Sequence, residues 1–146
     1  MKTTNIRERL IERIPAQWGK WISCDSGWNW ILEDLDKKLT YLDFNYKIHQ
    51  VKEKFGTLRF YYQAQVTKDV VLDLMDDAVR TAELYSSTTC ELCGKSSMMS
   101  DSSKGVEFDG TVSLKYSNNG NPDGWLKTLC DSCAGPIGYE NSKEVW

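Results

Sequence analysis

Apolar positions along this chain switch period several times, and each switch marks an element. From Asn5 to Ile14, the residues Ile6, Leu10, Ile11 and Ile14 recur at helical spacing. Arg7, Glu8, Arg9, Glu12 and Arg13 occupy the other faces. Thr4 or Asn5 can cap this helix, and Pro15 ends it. An irregular link through Gly19 carries Trp18, Trp21 and Ile22. Ser26-Gly27 opens a second helix, Trp28 to Leu42, whose stripe is Trp28, Ile31, Leu32, Leu35 and Leu39. Glu33, Asp34, Asp36, Lys37 and Lys38 fall off that stripe and predict a solvated face.

From Phe44 to Gln65 the period becomes two. Tyr46 and Ile48 alternate with Lys47 and His49, and Leu58, Phe60 and Tyr62 alternate with Arg59, Tyr61 and Gln63. The pattern predicts a β-hairpin turning near Lys54-Phe55-Gly56-Thr57. A two-stranded ribbon is marginal alone, so helices must cover one face. Thr67 then caps a long helix to about Tyr85, buried along Val71, Leu74, Met75, Ala78, Ala82 and Tyr85. Asp69, Asp73, Asp76, Asp77 and Glu83 give it an acidic exterior. Short strands are expected over Val106-Glu107-Phe108, Thr111 to Tyr116 and Trp125 to Leu129. The run from Ser117 to Gly124 is a strong turn cluster. Gly135-Pro136 and Gly138 keep any helix after residue 133 short.

The fold class these elements predict is α+β. Residues 1–89 form a layer of helices packed on a β-hairpin. Residues 90–146 form a second, smaller module, and the short junction before Cys90 packs the two as one unit. The 146 residues suffice for one ordinary domain. With 40% hydrophobic and 27% charged residues, the chain is neither disordered nor membrane-embedded in composition. Met1 to Asn5 lead into a charged helix without the apolar core of a signal peptide, so a reducing cytoplasm is expected. Charge alternates by segment: residues 1–24 and 44–65 each carry +3, whereas 25–43, 66–89 and 90–146 each carry −3. No segment is polybasic, and a two-sign surface suits a protein partner at least as well as a phosphate backbone.

The second module is organised by two cysteine pairs, Cys90-Glu91-Leu92-Cys93 and Cys130-Asp131-Ser132-Cys133. Each C-x-x-C lets one turn present two thiolates to one ion, and two such turns complete a tetrahedral zinc site. Gly94 after the first pair suits the tight turn required there. Four unrelated thiols or two disulfides are the competing reading. The absence of a long following helix favours a ribbon-like β module over a treble clef. The zinc is expected to be structural, because four thiolates leave no open position for water or substrate. Cys24 has no partner at this spacing and reads as a small buried hydrophobe.

Catalytic patterns are missing from the sequence. A nucleobase deaminase needs H-x-E and P-C-x-x-C, but this chain has His49-Gln50-Val51 and Thr89 before Cys90. No G-x-S-x-G, phosphate-binding loop or H-E-x-x-H occurs. A small-molecule substrate is therefore not expected. The most suggestive surface is the hairpin, residues 46–63. There Lys47, Lys52, Lys54 and Arg59 interleave with Phe55, Tyr61 and Tyr62, the pattern of a single-stranded nucleic-acid platform. The alternative is a solvated, charge-blocked strand edge.

The run Ile48-His49-Gln50-Val51-Lys52-Glu53-Lys54-Phe55-Gly56-Thr57-Leu58-Arg59-Phe60-Tyr61 resembles a recurrent signature of small phage and bacterial proteins of uncharacterised function. An acidic helix, C-E-x-C-G and W-x-x-T-L-C-x-x-C complete that signature, here Cys90 to Gly94 and Trp125 to Cys133. The resemblance spans about residues 46–134. It implies a phage or prophage accessory protein in a bacterial cytoplasm, and it brings no activity with it. The expectation is a non-enzymatic, zinc-stabilised protein that engages, and inhibits, a bacterial host or defence protein. Its contact surface would be the acidic faces of the second and third helices together with exposed aromatics.

Overall fold

The computed structural model describes residues 5–142. Three helices pack against one face of a three-stranded sheet, and the mixed α+β class holds. Helix α1 (Ile6–Glu12) starts at Asn5, whose side chain accepts the Glu8 N–H at 3.0 Å. The other candidate cap, Thr4, lies outside the described residues. Ile6, Leu10 and Ile14 point into the core. Helix α2 (Asn29–Leu42) buries Ile31, Leu32, Leu35 and Leu39, and Trp28 at its start is fully enclosed.

The stretch after Pro15 is more ordered than an irregular link. Ile22–Ser23 forms a short strand, β1, which pairs in parallel with β2 (Lys47–Lys54) at Ile22–Val51 and Ser23–Lys52. β2 pairs antiparallel with β3 (Thr57–Gln63), which gives the order β1-β2-β3. Ile22 has no local alternation around it, so the strand is invisible to periodicity and exists only because β2 offers an edge.

The hairpin turn falls on Phe55-Gly56, both with positive φ, at +54° and +83°. Two left-handed central residues define the tight turn whose twist matches the flanking strands. Its register carries one irregularity: Ile48 opposes Tyr62 and Gln50 opposes Tyr61, so His49 is the extra residue of a bulge. The bulge moves Val51, rather than Gln50, onto the inner face, where Val51 joins Ile48, Leu58 and Phe60 in the core.

Helix α3 (Asp69–Ser86) covers the inner face through Met75, Ala78, Val79 and Ala82. Its first residue follows Lys68, which makes no side-chain cap bond, so Thr67 is not the cap. Leu74, expected in the buried stripe, is exposed, and Val79 takes its place.

Charged residues that read as solvated are built into this layer. Asp36 is 7% exposed and accepts the Tyr46 hydroxyl at 2.6 Å. Arg13 lies 3.4 Å from Asp36, donates to the carbonyls of Phe44 and Tyr46, and stacks 4.0 Å over the Tyr46 ring. Asp43 is also buried and accepts the backbone N–H groups of Gln65 and Val66. These bonds fasten the C-terminal end of α2 to α1 and to the chain leaving β3.

The second module contains the antiparallel pair β4 (Ser113–Tyr116) and β5 (Leu126–Leu129). Val106 to Phe108 makes only isolated bridges, and Phe108 is exposed, so that strand does not form. Within the turn cluster, Asn118 and Asn119 both adopt left-handed φ, as their short polar side chains allow. A single helical turn, Asp131–Ala134, follows β5.

Backbone-level contacts join the two parts. The Gly27 N–H donates to the Glu91 carbonyl at 2.7 Å, and the Trp28 indole N–H donates to the Thr89 carbonyl at 2.9 Å. At the hairpin tip the Thr128 hydroxyl donates to the Gly56 carbonyl at 2.7 Å. A Cβ on Gly27 would lie 2.3 Å from the Cys90 carbonyl oxygen, so no side chain fits there.

Gly27→Ala should therefore destabilise the protein at or above the top of the about 1–3 kcal/mol expected of overpacking. Gly135→Ala, where nothing lies within 4 Å of the added carbon, should change stability by less than about 0.5 kcal/mol. Urea melts of both variants check this. Burial, then the bond to the Asp36 carboxylate, pushes the Tyr46 phenol above its ordinary value of 10.0. Its neutral form is thus favoured by folding, and that stability is complete below pH 10. Above it, unfolded Tyr46 ionises while folded Tyr46 does not. Stability should then fall by up to about 1.4 kcal/mol per pH unit from this group. Tyr46→Phe should flatten the alkaline limb in melts between pH 8 and 11, at some cost in stability at neutral pH.

Candidate metal centre

The four paired cysteines meet in space. All their Sγ atoms lie within 4.8 Å of one another, and the Cys93–Cys130 separation is 3.7 Å. A tetrahedral zinc with Zn–S bonds near 2.3 Å sets sulfur–sulfur edges of about 3.8 Å. A disulfide needs about 2.05 Å, and all five cysteines are free thiols. Spacing and donor set therefore both fit a metal site.

The first pair sits in a tight loop. The Gly94 N–H donates to the Cys90 carbonyl, the Cys90 N–H donates to the Lys95 carbonyl, and Gly94 has a φ of +85°. A Cβ on Gly94 would come within 3.0 Å of the Gly27 carbonyl oxygen, so the loop is pressed against the first residues of the α2 turn. The second pair straddles the start of the helical turn: Cys130 precedes it, Cys133 lies within it, and the Ala134 N–H donates back to the Cys130 carbonyl. β5 delivers Cys130 directly, and the Glu91 N–H bonds the Thr128 carbonyl, which holds the two loops side by side.

Cys90 and Cys130 are buried, Cys133 is half-buried and Cys93 is exposed. Burial raises the Cys90 thiol, but the backbone N–H groups of Cys130, Cys93 and Leu92 outweigh it and leave that thiol below its usual value. Burial and neighbouring thiols push Cys93 up to about 11 and move Cys133 upward too. An ion entering the site must displace the remaining protons.

Among the described residues, Val112, Leu129 and Ala134 complete the buried cluster around the sulfurs, with Leu92 and Tyr139 at its margin. So few apolar side chains give the module little hydrophobic support of its own. Two buried charged groups brace it. Glu91, 1% exposed, accepts the Asp25 N–H and lies 3.3 Å from the Lys127 ammonium. Lys115, equally buried, donates to the Thr111 carbonyl and the Ser113 hydroxyl and lies 3.2 Å from Asp131. Neither was foreseen from the sequence, where each is one charged residue in a polar stretch. Cys24 stands apart: it packs half-buried on the main core beside Arg7, and burial pushes its thiol up to about 11.

The residues of the basic hairpin separate into two groups. Lys47, Lys52, Lys54 and Tyr61 lie on the outer face of the sheet, with Lys52 Nζ 5.9 Å from the Tyr61 ring. Arg59 opposes Lys52 on the same face but is half-buried, and it also lines a groove with Arg80, Glu83 and Leu84 at the end of α3. His49 packs edge-on against Trp18, ring centres 4.0 Å apart, and bonds Gln63. No family model matches the chain, and no curated protein or solved structure matches it. No helix among the described residues is long and apolar enough to cross a membrane.

Cys93→Ser or Cys130→Ser should abolish metal binding at the four-thiol site and unfold the second module, because an ion in a site of this kind, zinc for example, supplies about 10–16 kcal/mol of apparent free energy. Metal analysis together with far-UV and near-UV circular dichroism reads both effects. Cys24→Ser should leave zinc content unchanged. A Cys93→Ser variant with wild-type zinc content and melting would overturn the site.

Proposed function

We propose that this chain is a non-enzymatic binding protein whose C-terminal module is a ribbon-like fold held by a structural zinc ion. The four converging thiols carry this reading, since they fill a zinc coordination sphere and leave no place for a reactant. The surroundings of His49, an indole and a side-chain amide, are those of a packed residue rather than of a general base. The phage and bacterial resemblance supports a bacterial protein as partner, met in the cytoplasm, with inhibition of a host or defence complex as the outcome.

The contact surface differs from the one expected on α2. There Glu33 and Asp36 pair with Arg9 and Arg13, and Asp34 pairs with Lys38 and Lys104, so its acidity is spent internally. The hairpin tip is the better candidate. Phe55 is 66% exposed and Trp125 is 82% exposed, and with Pro122 and Leu126 they line a groove of about 560 Å³. A bulky residue at positive φ is strained, and Asn-Gly is the sequence that this turn prefers. An exposed phenylalanine kept at such a position supports a role in contact rather than in folding. Aromatic anchors of this kind dominate protein interfaces.

A tagged pull-down from bacterial lysate, with and without nuclease, tests the reading. The expected result is a discrete protein that survives nuclease. Trp125→Ala should weaken its capture by about 2 kcal/mol or more. Phe55→Asn should raise the melting stability by about 1 kcal/mol while weakening capture. Partners lost on nuclease treatment, or capture indifferent to both substitutions, would defeat it.

A further inference from the structure

We infer that the outer face of the sheet is a binding platform for single-stranded nucleic acid, distinct from the aromatic tip. Strand alternation and the His49 bulge place Ser23, Lys47, Gln50, Lys52, Lys54, Thr57, Arg59, Tyr61 and Gln63 outward. None of these is acidic, although the whole chain carries a charge of −3. The one carboxylate of the hairpin, Glu53, is turned to the tip, where it accepts the Gly56 N–H at 2.8 Å. The face is thus a basic surface on an acidic protein.

The second observation is a shallow groove of about 740 Å³ on this face, bounded by Trp18, His49, Gln50, Lys52 and Tyr61. Its walls are an indole, a phenol ring, an imidazole, an amide and an ammonium group. Trp18 is 40% and Tyr61 is 46% exposed, so both rings offer open surface. The sequence does not show this grouping, because Trp18 lies in the turn after α1 and meets the sheet at His49, a residue 31 positions later. Rings for stacking beside cations for phosphates are what an unpaired strand requires. Outward residues two apart on β2 stand about 6.8 Å from each other, so Lys52 and Lys54 can follow a backbone along the strand. Stacking on Trp18 and Tyr61 requires bases free of a complementary strand, and among the described residues no helix projects from this face into a duplex groove. An acidic peptide would satisfy the lysines and leave the rings without partners.

This inference stands apart from the protein partner proposed above, and the two fail separately. The probe is a fluorescein-labelled dT12 oligonucleotide titrated with the full-length, zinc-loaded protein and followed by anisotropy from 50 to 300 mM salt. Each variant is first checked for zinc content and melting. Binding should weaken with a log–log salt slope of about −2, as expected for roughly three phosphate contacts at about 0.7 each. Lys52→Gln and Lys47→Gln should each flatten that slope by about 0.7. Tyr61→Ala should weaken binding about tenfold or more, and Tyr61→Phe, which keeps the ring, should restore it. Trp125→Ala should bind as the wild type does. Four results would each overturn the inference: no binding at 50 mM salt, equal affinity for a duplex of the same length, unchanged affinity in Tyr61→Ala, or displacement by polyglutamate as effective as by unlabelled oligonucleotide.

Discussion

The structure depends on how closely the α2 entry turn approaches the first cysteine loop. Gly27 and Gly94 face each other with backbone in contact, and neither position has room for a Cβ without displacing carbonyl groups. Through that contact Gly27 bonds Glu91, Trp28 bonds Thr89, and Glu91 in turn accepts the Asp25 N–H. The loop that presents Cys90 and Cys93 is thus shaped partly by residues more than 60 positions earlier. Metal geometry and the packing of the N-terminal layer become one problem. A change that loosens the α2 entry should loosen the site, and an ion that tightens the site should tighten the α2 entry.

A second constraint is polar and internal. Asp36 takes a hydroxyl bond from Tyr46 and ion pairs from Arg9 and Arg13, inside a layer otherwise closed by leucine, isoleucine and tryptophan. Such a cluster is a poor source of stability against an apolar replacement, yet losing one member strands the others without partners. Its consequence is orientation: the cluster ties α1, α2 and the start of β2 together in the mutual arrangement that satisfies every member. That arrangement brings the turn after α1 beside β2, and so puts Trp18 over His49.

The same economy of charge shapes the surface. Carboxylates that look exposed in the sequence are taken up by internal bonds. Glu83 accepts the Phe60 N–H, Asp76 accepts the Tyr62 hydroxyl, and Asp34 holds two lysines. The residues opposite the lysines of the outer sheet face, Gln63, Ser23, Arg59 and Thr57, include no carboxylate. Net charge by segment therefore misjudges where each sign is displayed.

Local pattern alone determined several parts of this protein: the helical stripes, the hairpin with its turn near Phe55-Gly56, and the two C-x-x-C turns that each present a pair of thiols. Each is encoded within a few residues, as a 3.6 or 2 repeat, a turn dipeptide or a C-x-x-C, and local geometry carries the information. The tertiary structure decided what depends on long-range partners. β1 forms because β2 presents an edge, and Val106 to Phe108 does not form a strand because no full-length edge meets it. Asp36, Glu91 and Lys115 are buried, and Arg13 half-buried, because a partner from a distant element compensates each charge. Leu74 is left exposed and Val79 is buried in its place, because the arc of α3 that meets the sheet is set by packing and not by the helix's own repeat. Burial of a charge and pairing of an edge are properties of two segments together, and neither segment's sequence contains the other.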